Sequence, residues 1–215
     1  DINGACTGFI LGVATAQGLM EQLDIDTALV VGVDVLSRVT DWTDRSTCVL
    51  FGDGAGAAVL KAEETGVVDM LMGSDGTKGP ILSCTSRTLG NFLTGTRPEL
   101  GLMTMDGQEV FRFAVKKVPE SIEILLERNH ISREEIKYYV LHQANERIVE
   151  AAARRLKEPM EKFPMTISKY GNTSSASIPL LLNDMAEKNM LQPGDKIILS
   201  GFGAGMTWGA VLMEW

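Results

Sequence analysis

The sequence predicts an α/β fold of two related modules with mixed sheets and buried helices. Short apolar runs rich in β-branched residues, which are typical of strands, alternate with longer segments of helical periodicity. The second half has the order helix, strand, helix, helix, strand, strand. The first half has helix, strand, strand, and we interpret it as an incomplete copy of the same architecture.

The first module begins with a helix predicted over 7–22, whose apolar residues on nearly every face indicate burial. The run A-L-V-V-G-V-D-V at 28–35 predicts a strand covered on both faces. Two more strands are predicted, one following G-D-G-A-G and ending near Lys61, and one over 67–74. The first module therefore spans 1–75.

The stretch 76–106 has no lasting periodicity, and Gly, Thr, Pro and Ser interrupt it throughout. A loop of this length inside a domain is usually functional or connects two halves. We therefore predict a connecting region at 76–106 and a second module at 107–215.

The second module opens with an amphipathic helix predicted over 107–129. Ser132 and Glu135 have the spacing of a capping box, and a strand at 138–141 ends in H-Q-A-N. Helices are predicted from there to about 156 and over 178–189. Strands at 196–200 and 207–215 flank the turn G-F-G-A-G and predict a hairpin.

Composition excludes several classes of protein. The net charge of −8 over 215 residues argues against general nucleic-acid binding. No run approaches the ~18 apolar residues of a membrane span, and the three widely spaced cysteines suggest neither a disulfide framework nor a metal site. A cytoplasmic location is the simplest interpretation. The chain begins within an apparent strand end, so we expect it to be the C-terminal part of a longer protein.

Cys6 is the first candidate catalytic residue, because D-I-N-G-A-C-T-G-F places it at the start of the first helix. The N–H groups and dipole of a helix N-terminus favour an anion, which predicts a lowered thiol pKa. The alternative is a buried structural cysteine at a tight turn.

His142 and Asn172 are the other two candidates. His142 stands where an apolar strand ends, the position at which α/β sheets bind ligands; the alternative is a hydrogen-bonded buried histidine. Asn172 precedes small hydroxyl residues that open a helix, where a turn and an N-cap would also explain it. His130, at a helix end, is interpreted as a solvated structural residue.

These motifs together resemble the β-ketoacyl-acyl carrier protein synthase III family, which has a thiolase-like fold. The resemblance runs from Asp1 to Trp215, and the matching segments are A-C-T-G-F, T-D-R-S-T, F-G-D-G-A-G-A-A-V-L, L-H-Q-A-N-E-R-I, Y-G-N-T-S-S-A-S-I-P and G-F-G-A-G-M-T-W-G. Family members carry roughly another hundred residues before the cysteine. Ala204 stands where the family usually has a third glycine.

The resemblance implies an acyltransferase that initiates type II fatty acid biosynthesis. Cys6 would accept the acyl group of an acyl-CoA primer, acetyl-CoA in our expectation. His142 and Asn172 would bind the thioester carbonyl of malonyl-acyl carrier protein during decarboxylation, and the backbone N–H groups of Cys6 and Ala204 would form the oxyanion hole. Asparagine at 172, where elongating relatives have histidine, indicates the CoA-primed class.

Further roles are implied by the same resemblance. CoA-binding residues would be Arg45, Phe111, Ala144 and Asn145. Carrier-protein-binding residues would be Arg112, Arg147, Arg154 and Arg155, a basic patch suited to an acidic partner. The family implies a homodimer, CoA thioesters as substrates rather than a cofactor, no metal, and no membrane or nucleic-acid partner.

The sequence leaves three alternative functions open. The order Cys, His, Asn is also that of papain-like proteases, although the signature around their cysteine is missing. The chain could be an inactive CoA-binding or oligomerising fragment. It could also be a condensing enzyme of secondary metabolism with the same triad.

Overall fold

The computed structural model describes residues 1–84, 90–97 and 101–215. The predicted elements of the first module are confirmed within a few residues. A 3₁₀ turn at Ala5–Thr7 leads into the first helix, and three strands follow. These elements are α1 (Gly8–Leu23), β1 (Thr27–Asp34), β2 (Gly54–Lys61) and β3 (Val67–Ser74).

The predicted elements of the second module are confirmed as well. Both the capping box of Ser132 and Glu135 and the final hairpin are present. The elements, numbered after the short strands β4 (Leu82–Cys84) and β5 (Met103–Met105), are α2 (Gly107–Arg128), β6 (Ile136–Leu141), α3 (Glu146–Leu156), α4 (Ile167–Tyr170), α5 (Ser177–Glu187), β7 (Lys196–Gly203) and β8 (Thr207–Glu214).

The predicted connecting region contains regular structure in its described part. A 3₁₀ turn covers Gly76–Ile81, and β4 pairs antiparallel with β5. Residues 85–89 and 98–100 of that region lie outside the described residues. The prediction of a connecting loop over 76–106 was therefore wrong for β4 and β5. Three-residue strands are too short to produce a sequence period. The division at 75 and 106 stays a prediction.

A four-stranded mixed sheet organises the molecule, with strand order β3-β8-β7-β6. β6 and β7 are parallel, whereas β8 runs antiparallel to both of its neighbours. β3 thus joins the sheet of the second module although it belongs to the first part of the chain. β1 and β2 form a separate antiparallel ribbon.

Helices cover both faces of the four-stranded sheet. Neighbouring residues of each strand point to opposite faces, so each strand contributes side chains to both helical layers. Ile198 of β7 packs with α2 and α3 in one apolar cluster. Ile197 and Leu199 pack with α1 and α5 in the other. This three-layer arrangement of helices, sheet and helices fits the predicted α/β class.

The ribbon of β1 and β2 packs on the segment that carries Asn172. The approach is close: a Cβ on Gly32 would lie 2.5 Å from the Ser175 carbonyl oxygen, so only glycine fits. The opposite face exposes Leu29, Val31 and Val33. The predicted covering of β1 on both faces was wrong for the described residues, because none of their elements packs on that side.

The first helix is also less buried than expected. Its buried residues are Phe9, Ile10 and Val13, whereas Leu19 and Leu23 are exposed. The exposed apolar residues of α1 therefore lie in its C-terminal half, beyond the part that packs on the sheet. Among the described helices, none is both long and apolar enough to cross a membrane.

Candidate active site

Cys6 lies in the 3₁₀ turn Ala5–Thr7, two residues before α1 begins at Gly8, which is close to the predicted position at a helix N-terminus. The turn is closed by the Thr7 N–H, which donates to the Gly4 carbonyl at 3.1 Å. The end of β7 packs directly on this turn at Gly203. The nucleophile candidate is therefore held between the start of α1 and the central sheet.

The predicted lowering of the Cys6 pKa was wrong. Burial raises the pKa of the thiol from 9.0 to about 11, since a thiolate loses solvation there. A hydrogen bond from Ser174 lowers the pKa, the negative charge of Asp34 raises it, and the Cys6 N–H lowers it. Desolvation outweighs the effect of the turn, although the residue as a whole is only partly buried. Cys6 is thus a neutral thiol at neutral pH.

His142 follows the last residue of β6 and is only 2% exposed. Its backbone N–H donates to the Ser200 carbonyl of β7 at 2.8 Å, which continues the strand pairing by one residue. The ring meets Phe202 edge to face, with the centroids 5.6 Å apart. These contacts hold the imidazole in one orientation.

The two ring nitrogens of His142 have different surroundings. Nδ1 lies 2.6 Å from the hydroxyl of Ser177, whereas Nε2 is buried and has no hydrogen-bond partner among the described residues. Burial lowers the pKa of His142 to about 3, because the charged imidazolium is poorly solvated. The imidazole is therefore neutral across the physiological pH range.

Asn172 is fixed by its backbone and by its own side chain. Its N–H donates to the Leu50 carbonyl at 2.8 Å, and its carbonyl accepts from the Gly52 N–H at 2.9 Å. Its Oδ1 accepts from the Ser174 N–H at 2.9 Å. Since the amide oxygen is occupied, the side-chain NH₂ is the group left to donate to a ligand.

Cys6, His142 and Asn172 line one cavity of about 400 Å³. Its walls are mainly apolar, with Leu82, Met103, Met105, Val110, Ile148 and Phe202 among them. A cavity of this size with a few convergent polar groups is typical of a small-molecule site. Among the described residues, no cluster of three or more His, Cys, Asp and Glu side chains could hold a metal ion.

Four other predicted site residues also line the cavity: Ala204, Phe111, Ala144 and Asn145. Asn145 additionally caps α3, because its Oδ1 accepts from the Arg147 N–H at 2.9 Å. Arg45 is exposed and is not part of the cavity wall, although Ser46, its neighbour, is. The assigned roles of all these residues stay predictions.

The four arginines predicted to bind the carrier protein are exposed. Arg155 of α3 donates to the Val115 carbonyl of α2, so the two helices that carry these residues touch. Arg112 forms an ion pair with Glu109, which offsets part of its charge. Arg147 and Arg154 therefore contribute most directly to the positive charge of the predicted basic patch.

Sequence reasoning did not single out the polar residues that surround the triad. Ser177 contacts His142, Ser174 contacts Asn172, and Asp34 accepts both the N–H and the hydroxyl of Ser175 at 3.1 and 2.6 Å. The serine run after Asn172 was the available signal. It had been interpreted only as a helix cap.

Two family models match the chain. Residues 1–76 match 3-oxoacyl-[acyl-carrier-protein] synthase III, and residues 126–215 match the C-terminal part of the same enzyme. Together the two matches cover most of the chain. They include Cys6 in the first segment, and His142 and Asn172 in the second.

Individual relatives belong to the same family as the two family models. The chain is 48% identical to the β-ketoacyl-[acyl-carrier-protein] synthase III of Clostridium beijerinckii, over all of this chain and 67% of the relative. The solved 3-oxoacyl-(acyl carrier protein) synthase III of Pseudomonas aeruginosa superposes with a TM-score of 0.93 at 38% identity, over all of this chain and 67% of that one. The enzyme of Aquifex aeolicus gives 0.90 at 37%, over all of this chain and 66% of that one.

The chain thus spans about two thirds of the length of these relatives. The identity extends over its whole length, and the fold superposes on the solved relatives over all of this chain. The chain belongs to the β-ketoacyl-[acyl-carrier-protein] synthase III family of condensing acyltransferases.

Proposed function

We propose that the protein condenses an acyl-CoA primer with malonyl-acyl carrier protein, releasing CoA and CO₂ and giving a 3-oxoacyl-acyl carrier protein. The single observation that supports this most is the cavity that Cys6, His142 and Asn172 share. One sulfur nucleophile and two neutral N–H donors suit a reaction in which a thioester carbonyl becomes an enolate. The carrier protein is included in the proposal because the names of the relatives contain it.

In the first half-reaction, the Cys6 sulfur attacks the primer carbonyl and the C–S bond to CoA breaks. The Cys6 proton leaves with CoA, so a neutral thiol is exchanged for a neutral thiol. With acetyl-CoA, our proposed primer, an acetyl thioester remains on Cys6. Covalent catalysis of this kind divides one difficult step into two easier ones.

In the second half-reaction, malonyl-acyl carrier protein loses CO₂ and the electron pair of the broken C–C bond forms an enolate. The enolate oxygen would accept hydrogen bonds from His142 Nε2 and from the Asn172 amide. A neutral imidazole donor matches the lowered pKa of His142. Preorganised donors in a dry site stabilise developing charge much more than water does.

The carbanion then attacks the acyl carbonyl on Cys6. The backbone N–H groups of Cys6 and Ala204, both on the cavity wall, would hold the resulting oxyanion. When this intermediate collapses, the new C–C bond is kept and the Cys6 thiolate leaves and takes up a proton. The proposed reaction uses CoA thioesters as substrates and needs no cofactor.

The carrier protein would dock on the exposed arginines of α2 and α3, because acyl carrier proteins are acidic. Phe111, Ala144 and Asn145 would line the path of the pantetheine arm, and Arg45 would contact CoA outside the cavity. We also propose a homodimer and a cytoplasmic location, on the ground of family membership alone.

The decisive experiment is the intact mass of the protein, expressed from its complete gene, after incubation with acetyl-CoA and a panel of longer acyl-CoAs. We expect one acyl adduct that is absent from Cys6→Ser and retained in Cys48→Ser, the control. Adding malonyl-acyl carrier protein should discharge the adduct and yield 3-oxoacyl product. A folded protein that takes up no acyl group from any primer would contradict the proposal.

A further inference from the structure

Ser177 and His142 make a short side-chain contact in the candidate site. The hydroxyl of Ser177 lies 2.6 Å from His142 Nδ1, and each residue is only 2% exposed. The same hydroxyl receives a longer, weaker hydrogen bond from the Gln143 N–H at 3.4 Å. Among the described residues, no carbonyl or carboxylate accepts from it.

These partners decide where the hydroxyl proton lies. A serine hydroxyl has one proton and two lone pairs. The Gln143 N–H uses one lone pair, so a proton on Nδ1 would require a second and would leave the hydroxyl proton buried without an acceptor. Unsatisfied buried donors are costly. The arrangement in which Ser177 donates to a bare Nδ1 satisfies the hydroxyl, Nδ1 and the Gln143 N–H together.

The position of Ser177 makes this contact rigid. Ser177 is the first residue of α5, and α5 packs against β6, the strand that ends one residue before His142. Gln143 is fixed as well: its side-chain NH₂ donates to the Leu141 carbonyl at 2.8 Å, and its Oε1 accepts from the Thr166 N–H at 2.9 Å. Neither partner of the hydroxyl can turn away easily.

We propose that Ser177 is a positioning residue that holds His142 in the tautomer with the proton on Nε2. In a neutral imidazole one nitrogen carries the proton, and its hydrogen-bond partners select which one. Nε2 is the buried nitrogen without a partner among the described residues. Its proton is the one available to a substrate oxygen, so Ser177 determines whether His142 meets that oxygen as a donor. The catalytic consequence rests on the proposed condensation, but the tautomer does not.

The test is ¹⁵N NMR of histidine-labelled protein, expressed from its complete gene. The chain has only two histidines, so His130 serves as an internal reference. Protonated and bare ring nitrogens have well-separated ¹⁵N shifts. We expect His142 to be protonated at Nε2 in the wild type, to become a mixture of tautomers in Ser177→Ala, and to return to one tautomer in Ser177→Thr. Ser121→Ala removes another buried serine hydroxyl, one that donates to the Val118 carbonyl, and should change nothing.

Activity gives a second readout. Ser177→Ala should lower kcat for malonyl decarboxylation about 10- to 100-fold, the loss that follows when a metal-binding histidine loses the partner that orients it. Acylation of Cys6 should be unchanged, and Ser177→Thr should recover the loss. Wild-type His142 protonated at Nδ1, or a single Nε2 tautomer retained in Ser177→Ala, would overturn the inference. If the wild type lacks condensing activity but shows the Nε2 tautomer, the proposed function fails and the positioning role stands.

The wild-type spectrum alone keeps the inference falsifiable if Ser177→Ala does not fold. Ser177→Cys then provides a second variant, since a thiol is a weaker donor than a hydroxyl. We expect it to have a tautomer ratio between wild type and full loss of the donor. A ratio identical to the wild type would count against a role of the hydroxyl.

Discussion

Gly203 lies against the backbone of Cys6 so closely that a Cβ on Gly203 would sit 2.8 Å from the Cys6 nitrogen and 3.1 Å from its Cβ. Backbone nitrogen cannot swing aside as a flexible side chain can. The end of the central strand β7 and the nucleophile therefore share one close backbone contact. Glycine is required at this point by space, because Gly203 is buried and its strand neighbour Phe202 is only 3% exposed.

Gly203→Ala should impair Cys6 specifically. The added methyl group must push the turn of Cys6 away from β7, and overpacking of this kind typically costs about 1–3 kcal/mol of stability. We expect a lower unfolding free energy and slower acylation of Cys6 by acyl-CoA, measured by denaturant titration and intact mass. Gly18→Ala is the control, because nothing lies within 4 Å of its Cβ and α1 should gain up to about 1 kcal/mol. Equal behaviour of both variants would contradict the close-contact argument.

The reactivity of Cys6 should rise with pH up to about 11, because the thiolate is the reacting form and burial raises the pKa to that value. Iodoacetamide labelling of Cys6, followed by peptide mass spectrometry, measures this directly, and the exposed Cys84 serves as an internal reference. Asp34→Asn should move the profile to lower pH by removing a negative charge. Ser174→Ala should move it to higher pH by removing a hydrogen bond. A plateau below pH 8 in the wild type would contradict the raised pKa.

His142 should make the protein less stable in acid. The unfolded chain takes up a proton at His142 near pH 6.5, whereas the folded protein does so only near pH 3. The contribution of His142 to folding is therefore fully present above about pH 6.5 and is lost progressively as the pH falls toward 3. We expect the stability of His142→Gln, measured by chemical unfolding at pH 7 and pH 5, to fall less than that of the wild type. His130→Gln, the control, should follow the wild type.

Asn172→Asp should separate the two half-reactions. The carboxylate can still accept the Ser174 N–H but has no N–H to donate, and it places a negative charge beside the developing enolate. Loss of one such donor typically lowers kcat about 100- to 1,000-fold. We expect this loss in condensation and near-normal acylation of Cys6. Asn183→Asp, an exposed change on α5, should leave both unchanged, and equal losses of both half-reactions in Asn172→Asp would argue against a donor role.

Arg154→Glu should weaken binding of the carrier protein. Reversing a charge in the predicted basic patch should raise the KM for malonyl-acyl carrier protein about tenfold at low salt, and less at high salt because ions screen the attraction. The KM for malonyl-CoA should not change. Lys188→Glu makes the same charge change on the exposed end of α5 and is the control. If both variants raise the KM by a similar factor, the net charge of the protein explains the effect and a local docking site does not.

The sequence predicted most of the elements and the three residues that meet in the cavity. The apolar run before His142 and the glycine-rich segment at the end of β7 have local signatures, as does the capping box of Ser132. Local patterns identify such features because the neighbours that define them are adjacent in the chain. The resemblance to the family then predicts that Cys6, His142 and Asn172 share one site.

Features that depend on distant contacts could not be predicted in this way. The raised pKa of Cys6 results from enclosure by segments far away in the chain, Asp34 and Ser174 among them. The contact of Ser177 with His142 joins residues from two elements. The exposed face of β1 reflects which elements surround it rather than its own apolar pattern. Burial and charge environment are properties of the assembled layers.

The position of β8 between β3 and β7 has a consequence for synthesis of the protein. The ribosome releases β3 long before β8, so β3 must wait with unpaired edges and apolar side chains until its partner emerges. Partly made sheets of this kind are prone to aggregate and bind chaperones. The glycine contact at Cys6 also comes from β7, late in the chain. The nucleophile is therefore synthesised well before β7 and acquires this contact only after β7 has left the ribosome.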